Sequence, residues 1–117
     1  MGKIYVNDNQ RILRMMIEIY QPDNFDWMSY QITNQNILTF HHIVELSKGG
    51  LTEIGNGALV TKRGHKALNL LCIRDYILYK NWNELFLEIN QFGKSPDDYL
   101  MSQSRELKKA THKVLYK

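Results

Sequence analysis

The chain reads as an α+β domain: a strand–loop–strand–helix unit with further helices packed behind it. Two observations carry this expectation. Strand formers cluster at Ile37–Phe40 and again at Gly57–Thr61, and Thr61 stands where it can cap a helix starting at Lys62. Apolar residues recur at helical spacing on both sides of that unit, over about 9–20, 73–91 and 96–114. Two strands and one helix bury too little surface to stand alone, so the flanking helices are expected to complete the core.

Residues 3–6 read as a short strand or extended arm. Asp8 or Asn9 can cap a helix to about Tyr20, with Ile12, Leu13, Met16, Ile17 and Tyr20 as its apolar stripe and Pro22 as its stop. Phe25, Trp27, Met28, Tyr30 and Ile32 form a second apolar segment, read as short and helical. Thr33–Asn36 is a polar turn before the motif, which spans 37–71. From Ile73 to Gln91, Ile77, Leu78, Trp82, Leu85, Phe86 and Ile89 mark one helical face, closed by Phe92-Gly93. Ser95-Pro96-Asp97-Asp98 restarts the helix as cap, first-position proline and first-turn acids. Tyr99, Leu100, Gln103 and Leu107 mark the buried side of the last helix.

At 117 residues the chain is expected to be one domain, 1–117, with 44% hydrophobic residues, which excludes a disordered chain. No apolar run approaches a membrane span, and the start lacks the apolar core of a secretion signal. A single cysteine rules out an internal disulfide and suits a reducing cytoplasm. The net charge of +3 agrees with a polyanionic partner without establishing one. Its distribution is more telling. Residues 36–72 carry four basic and two acidic side chains, and from Arg105 onward five basic residues face Glu106 alone.

Three of the four histidines lie in the motif, at 41, 42 and 65. Thirteen residues separate His42 from Asn56, and eight separate Asn56 from His65. Asn69 follows His65 by one helical turn, so the two share a face. Taken singly, each has a plain reading. Neighbouring strand residues point to opposite faces, so His41 or His42 can be an ordinary hydrogen-bonded core histidine. Asn56-Gly57 can be a hairpin turn. The joint spacing in a strand–loop–strand–helix context outweighs those readings.

On His41-His42, Gly49-Gly50, Asn56, His65 and Asn69, the stretch resembles the HNH endonuclease family, whose core is the ββα-metal (His-Me finger) motif. The paired histidines look most like the variant of bacterial DNase toxins. The family's usual Asp before the second histidine is His41 here, its usual final His is Asn69, and the Cys-x-x-Cys zinc pairs of many relatives are absent from this sequence. The resemblance implies His42 as general base, His41, His65 and Asn69 as metal ligands, and Asn56 as the residue that pins the loop. It implies one divalent ion. Two imidazoles and an amide suit zinc, nickel or manganese at least as well as magnesium. Lys48, Lys62, Arg63 and Lys66 are the expected nucleic-acid contacts, the last three beside a helix start that favours phosphate.

The expected activity is metal-dependent hydrolysis of phosphodiesters in DNA, chiefly double-stranded. A homodimer would place two sites for two strands. The resemblance further implies a bacterial host cytoplasm and a phage or other mobile element. The alternative is an inactive HNH scaffold that binds or regulates a protein partner.

Overall fold

The computed structural model describes residues 8–116. Its centre is an antiparallel pair, β1 (Leu38–His42) and β2 (Gly57–Thr61), in the register Leu38↔Thr61, Phe40↔Leu59 and His42↔Gly57. Every residue of β2 is buried, so this strand runs through the core while β1 lies nearer the surface. Between them, the loop makes single 3₁₀ turns at Leu46–Lys48 and Ile54–Asn56. Gly50 is needed in this loop because a Cβ there would sit 1.8 Å from the Val44 carbonyl oxygen.

Helix α2 (Lys62–Arg74) starts directly from β2. The Thr61 hydroxyl accepts from the Gly64 N–H at 3.2 Å, the cap the sequence suggests. Helix α1 (Asp8–Tyr20) buries Ile12, Met16 and Tyr20, spaced four apart on one face, against the sheet. The Tyr20 hydroxyl donates to the Asn90 carbonyl at 2.8 Å, and the Asn90 amide donates to Ile54 and Gly57 carbonyls at 2.7 Å each. One asparagine thereby joins α3 (Tyr76–Gln91) to the start of β2.

Helix α4 (Asp98–Leu115) closes the other side. The Trp82 indole N–H donates to the Thr111 hydroxyl at 2.9 Å, and Thr111 donates in turn to the Leu107 carbonyl. Ser104 donates to the Trp27 carbonyl at 2.8 Å and accepts from Ser29. These satisfied hydroxyls let small polar residues face a core otherwise built from Trp27, Tyr30, Leu59, Leu68, Leu71, Trp82, Phe86 and Ile89.

Several expectations need correction. Residues 25–32 form no helix but a tight turn bridged at Phe25 and Gln31. Asp26 is its anchor, fully buried and accepting from the Met28, Tyr30 and Thr61 N–H groups at 2.7–2.9 Å. Burial pushes the Asp26 carboxyl pKa up, and those N–H donors oppose the shift. The α2–α3 boundary falls at Asp75, whose carboxylate accepts from Leu78 N–H, rather than near Leu71–Ile73. Asp97, not Ser95, caps α4, because its carboxylate accepts from Leu100 N–H while Ser95 turns to the Tyr20 carbonyl. Ile77 and Tyr99, placed on buried faces by periodicity, are 73% and 68% exposed, and Phe25 is exposed as well. The expected arm at 3–6 lies outside the described residues. No helix among the described residues is long and apolar enough to cross a membrane.

Candidate functional site

Alternation along β1 sends its side chains to two faces. Thr39 and His41 face α2 and α3, whereas Phe40 and His42 share the other face, their rings 4.8 Å apart and edge-on. The adjacent histidines therefore part at the strand, as alternation alone requires.

On the first face, the His41 and His65 rings stand perpendicular with centroids 5.5 Å apart. Two imidazoles sharing an ion through bonds of about 2.0–2.1 Å have ring centres roughly 5–6 Å apart, so this pair has the spacing for a common ligand. Hydrogen bonds fix the tautomers. The Thr39 hydroxyl spends its proton on the Val60 carbonyl at 2.8 Å, so its 3.0 Å contact with His65 Nδ1 has the imidazole donating. Neutral His65 then carries its lone pair on Nε2. His41 Nε2 donates to the Asn83 Oδ1 at 2.9 Å, which leaves Nδ1 as its lone-pair nitrogen.

Both rings are held in the neutral form that metal ligation or proton acceptance needs. Burial pushes His41 down to about 4, with the Asn83 bond opposing and the His65 and His42 rings adding to the shift. Burial, then the His42 ring, lowers His65. His41 is 5% exposed and is walled by Tyr79 and Phe86 of α3. Glu45 stands close enough to favour the charged form of His41 and accepts from the Tyr79 hydroxyl at 3.3 Å.

His42 lies half-buried, its Nε2 2.9 Å from the Thr52 hydroxyl, and partial burial lowers its pKa. At neutral pH it is a neutral base. The loop that carries Thr52 is closed by Asn56. The Asn56 Oδ1 accepts from Val44 N–H at 2.8 Å, and its Nδ2 donates to the Val44 and Leu51 carbonyls at 3.0 and 2.9 Å. The Asn56 backbone carbonyl also accepts from Ile43 N–H. One side chain thus ties the end of β1 to the middle of the loop.

Asn69 is exposed one turn beyond His65, and its side chain makes no hydrogen bond among the described residues. Among those residues, no group of three or more His, Cys, Asp or Glu side chains is placed to hold an ion. The donor set on this face is accordingly two imidazoles, with the Asn83 amide bonded to His41 and Asn69 one helical turn along α2 from His65. Lys48 reaches α3, its Nζ 3.4 Å from the Tyr76 hydroxyl and 5.6 Å from that ring's centre. Lys62, Arg63 and Lys66 line a groove of about 430 Å³ with Gln31, Thr33 and Asn36.

The sequence reading assigns no site role to Thr39, Thr52, Glu45, Tyr79 or Asn83. Thr39 has a local signal, since it lies two residues before His41 on the same strand face. Asn83 has none, because only tertiary packing brings α3 to β1. The chain matches no known family model, no curated protein and no solved structure.

Proposed function

We propose that this chain is a metal-dependent HNH-type endonuclease that hydrolyses phosphodiester bonds in DNA. The observation that carries the reading is the His41–His65 pair, 5.5 Å apart, with the His65 Nδ1–H committed to Thr39. The consecutive order β1, loop, β2, α2 and the bridging Asn56 amide add to it.

In this reading His41 and His65 hold one divalent ion, with the Asn69 amide as third donor. The ion would stabilise negative charge on the phosphoryl group and on the departing 3′ oxygen. His42 takes the proton of the attacking water as the new P–O bond forms and the P–O3′ bond breaks. Thr52 orients that ring, and Asn56 keeps the segment beyond it from drifting. Lys62 and Lys66 meet the flanking phosphates, contacts that position the duplex without reading its bases.

The test is plasmid cleavage by the full chain with magnesium, manganese, nickel and zinc in turn. Cutting is expected with at least one metal, lost in EDTA and reduced about 10²-fold or more by His42→Ala. Cutting that survives both EDTA and His42→Ala would sink the assignment. One observation favours the second reading, an inactive HNH scaffold acting on a protein partner. His41 is buried and bonded to Asn83, as a structural histidine would be. Absence of cleavage with every metal, together with a stoichiometric protein partner, would establish that alternative.

A further inference from the structure

A second feature lies on the far flank of α2, centred on the Tyr30 ring. Two cations from different helices converge there. The Arg63 guanidinium carbon is 5.4 Å from the ring centre, and the Lys108 Nζ of α4 is 4.7 Å from it. His112, also from α4, places its Nε2 2.9 Å from the Tyr30 hydroxyl. Like charges are brought together here rather than kept apart, and they are anchored in place. Lys108 Nζ donates to the Ser29 carbonyl at 2.8 Å, and the Arg63 backbone N–H donates to Asn36 Oδ1 at 2.9 Å, which holds the start of α2 under the guanidinium.

No ion pair among the described residues offsets this charge. Among the described residues the ion pairs are Arg11–Asp8 and Lys109–Glu106, and neither involves this cluster. The carboxylate that faces it is that of Asp26, buried and already engaged by three N–H donors. Each of the two cations also lines a surface groove. One is lined by Lys62, Arg63 and Lys66, the other by Arg105 and Lys108.

The helical wheel connects this cluster to the histidines. At about 100° per residue, His65 and Arg63 lie on opposite flanks of α2. Asn69, Lys62 and Lys66 fall between them on its exposed side. A basic band therefore runs from the imidazole pair, over the start of α2, to the Tyr30 cluster. It crosses one helix width, about 10–12 Å.

We infer that Arg63 and Lys108, mounted on the Tyr30 ring with His112 beside them, form a second phosphate-binding point for the nucleic-acid backbone, one helix width from His65. The inference rests on the nuclease reading for its ligand class, although binding at this point needs no metal and no cleavage. A guanidinium suits a phosphate because its fork donates two parallel hydrogen bonds, and the ring beneath pre-orients it. The same stack covers the face of Tyr30, so bases are not expected to insert there.

The experiment measures binding of a short labelled duplex by the full chain in EDTA, across a salt series. Arg63→Gln and Lys108→Gln should each make the slope of log K against log salt shallower by about one, equally for unrelated sequences. Lys94→Gln, in the loop before α4, should leave the slope unchanged. Lys108 also braces Ser29, so its variant is first checked by thermal unfolding; Arg63 is exposed and carries the test alone should that variant unfold. Wild-type slopes in both folded variants, or no binding by the wild type at low salt, would overturn the inference. Shallower slopes in a protein that cuts with no metal would uphold the phosphate point and remove the nuclease reading. Unchanged slopes in a protein that does cut would do the reverse.

Discussion

The Thr39 hydroxyl and the His65 imidazole fix one another, since the hydroxyl donates to Val60 and can therefore only accept from His65 Nδ1. The consequence is a committed tautomer with Nε2 free to ligate. Thr39→Val keeps the β-branched shape and removes the acceptor. Under the proposed reading, nickel or zinc affinity by titration calorimetry should fall about 10- to 100-fold, the usual effect of losing such a partner. Stability should drop by only about 1 kcal/mol. Thr39→Ser should restore the affinity. An unchanged affinity in Thr39→Val would mean that the hydroxyl plays no part in ligation.

His41 makes the metal-free protein sensitive to acid. Its folded pKa is pushed down to about 4 by burial, while the unfolded chain takes up the same proton near 6.5. The unfolded state therefore binds more protons between these values, and stability falls as the pH drops from 6.5 to 4. The loss attributable to His41 is about 3 kcal/mol. Urea midpoints in EDTA should decline more steeply over this window in the wild type than in His41→Gln, which cannot titrate. Asp26, whose raised pKa acts in the opposite sense, is common to both proteins and cancels in the comparison. Parallel declines, or a His41 resonance titrating near 6.5, would refute the assignment.

Asn56 is a different kind of residue, one whose loss should damage the site through the backbone. It makes three hydrogen bonds to backbone groups and is 8% exposed. Asn56→Ala leaves the Val44 N–H and two carbonyls without that partner and should cost about 2–4 kcal/mol in chemical denaturation. Asn56→Asp can still accept from Val44 but turns a carboxylate toward two carbonyl oxygens, and should be at least as destabilising at neutral pH. If the proposed chemistry holds, cleavage by either variant should fall even at temperatures where it is fully folded. A stability change under about 0.5 kcal/mol, the range of an ordinary surface substitution, would show that the amide does not hold the loop.

The features that sequence reading recovered are those whose causes are local. Thr61 lies next to the helix it caps, Pro22 just beyond the helix it follows, and the β2 strand is a run of buried strand formers. The turn at 25–32 is not legible in the sequence because its organiser, Asp26, accepts from Thr61, 35 residues away. A period count sees only the aromatic and apolar neighbours. Ile77 and Tyr99 each precede a buried leucine, Leu78 and Leu100, and so fall about 100° off the buried stripe. At the candidate site, spacing brought His41 and His65 to one face. It could not supply the α3 wall, since Asn83 meets His41 across 42 residues.

Phe86 touches three rings at once: His41 at 5.6 Å, Trp82 at 5.8 Å and Trp27 at 6.3 Å. These indoles are the chain's two tryptophans, and each is one phenyl ring removed from the imidazole. A paramagnetic ion arriving at His41 should therefore quench the protein's intrinsic emission. Occupancy of the centre can then be followed optically in unlabelled protein, independently of whether any strand is cut.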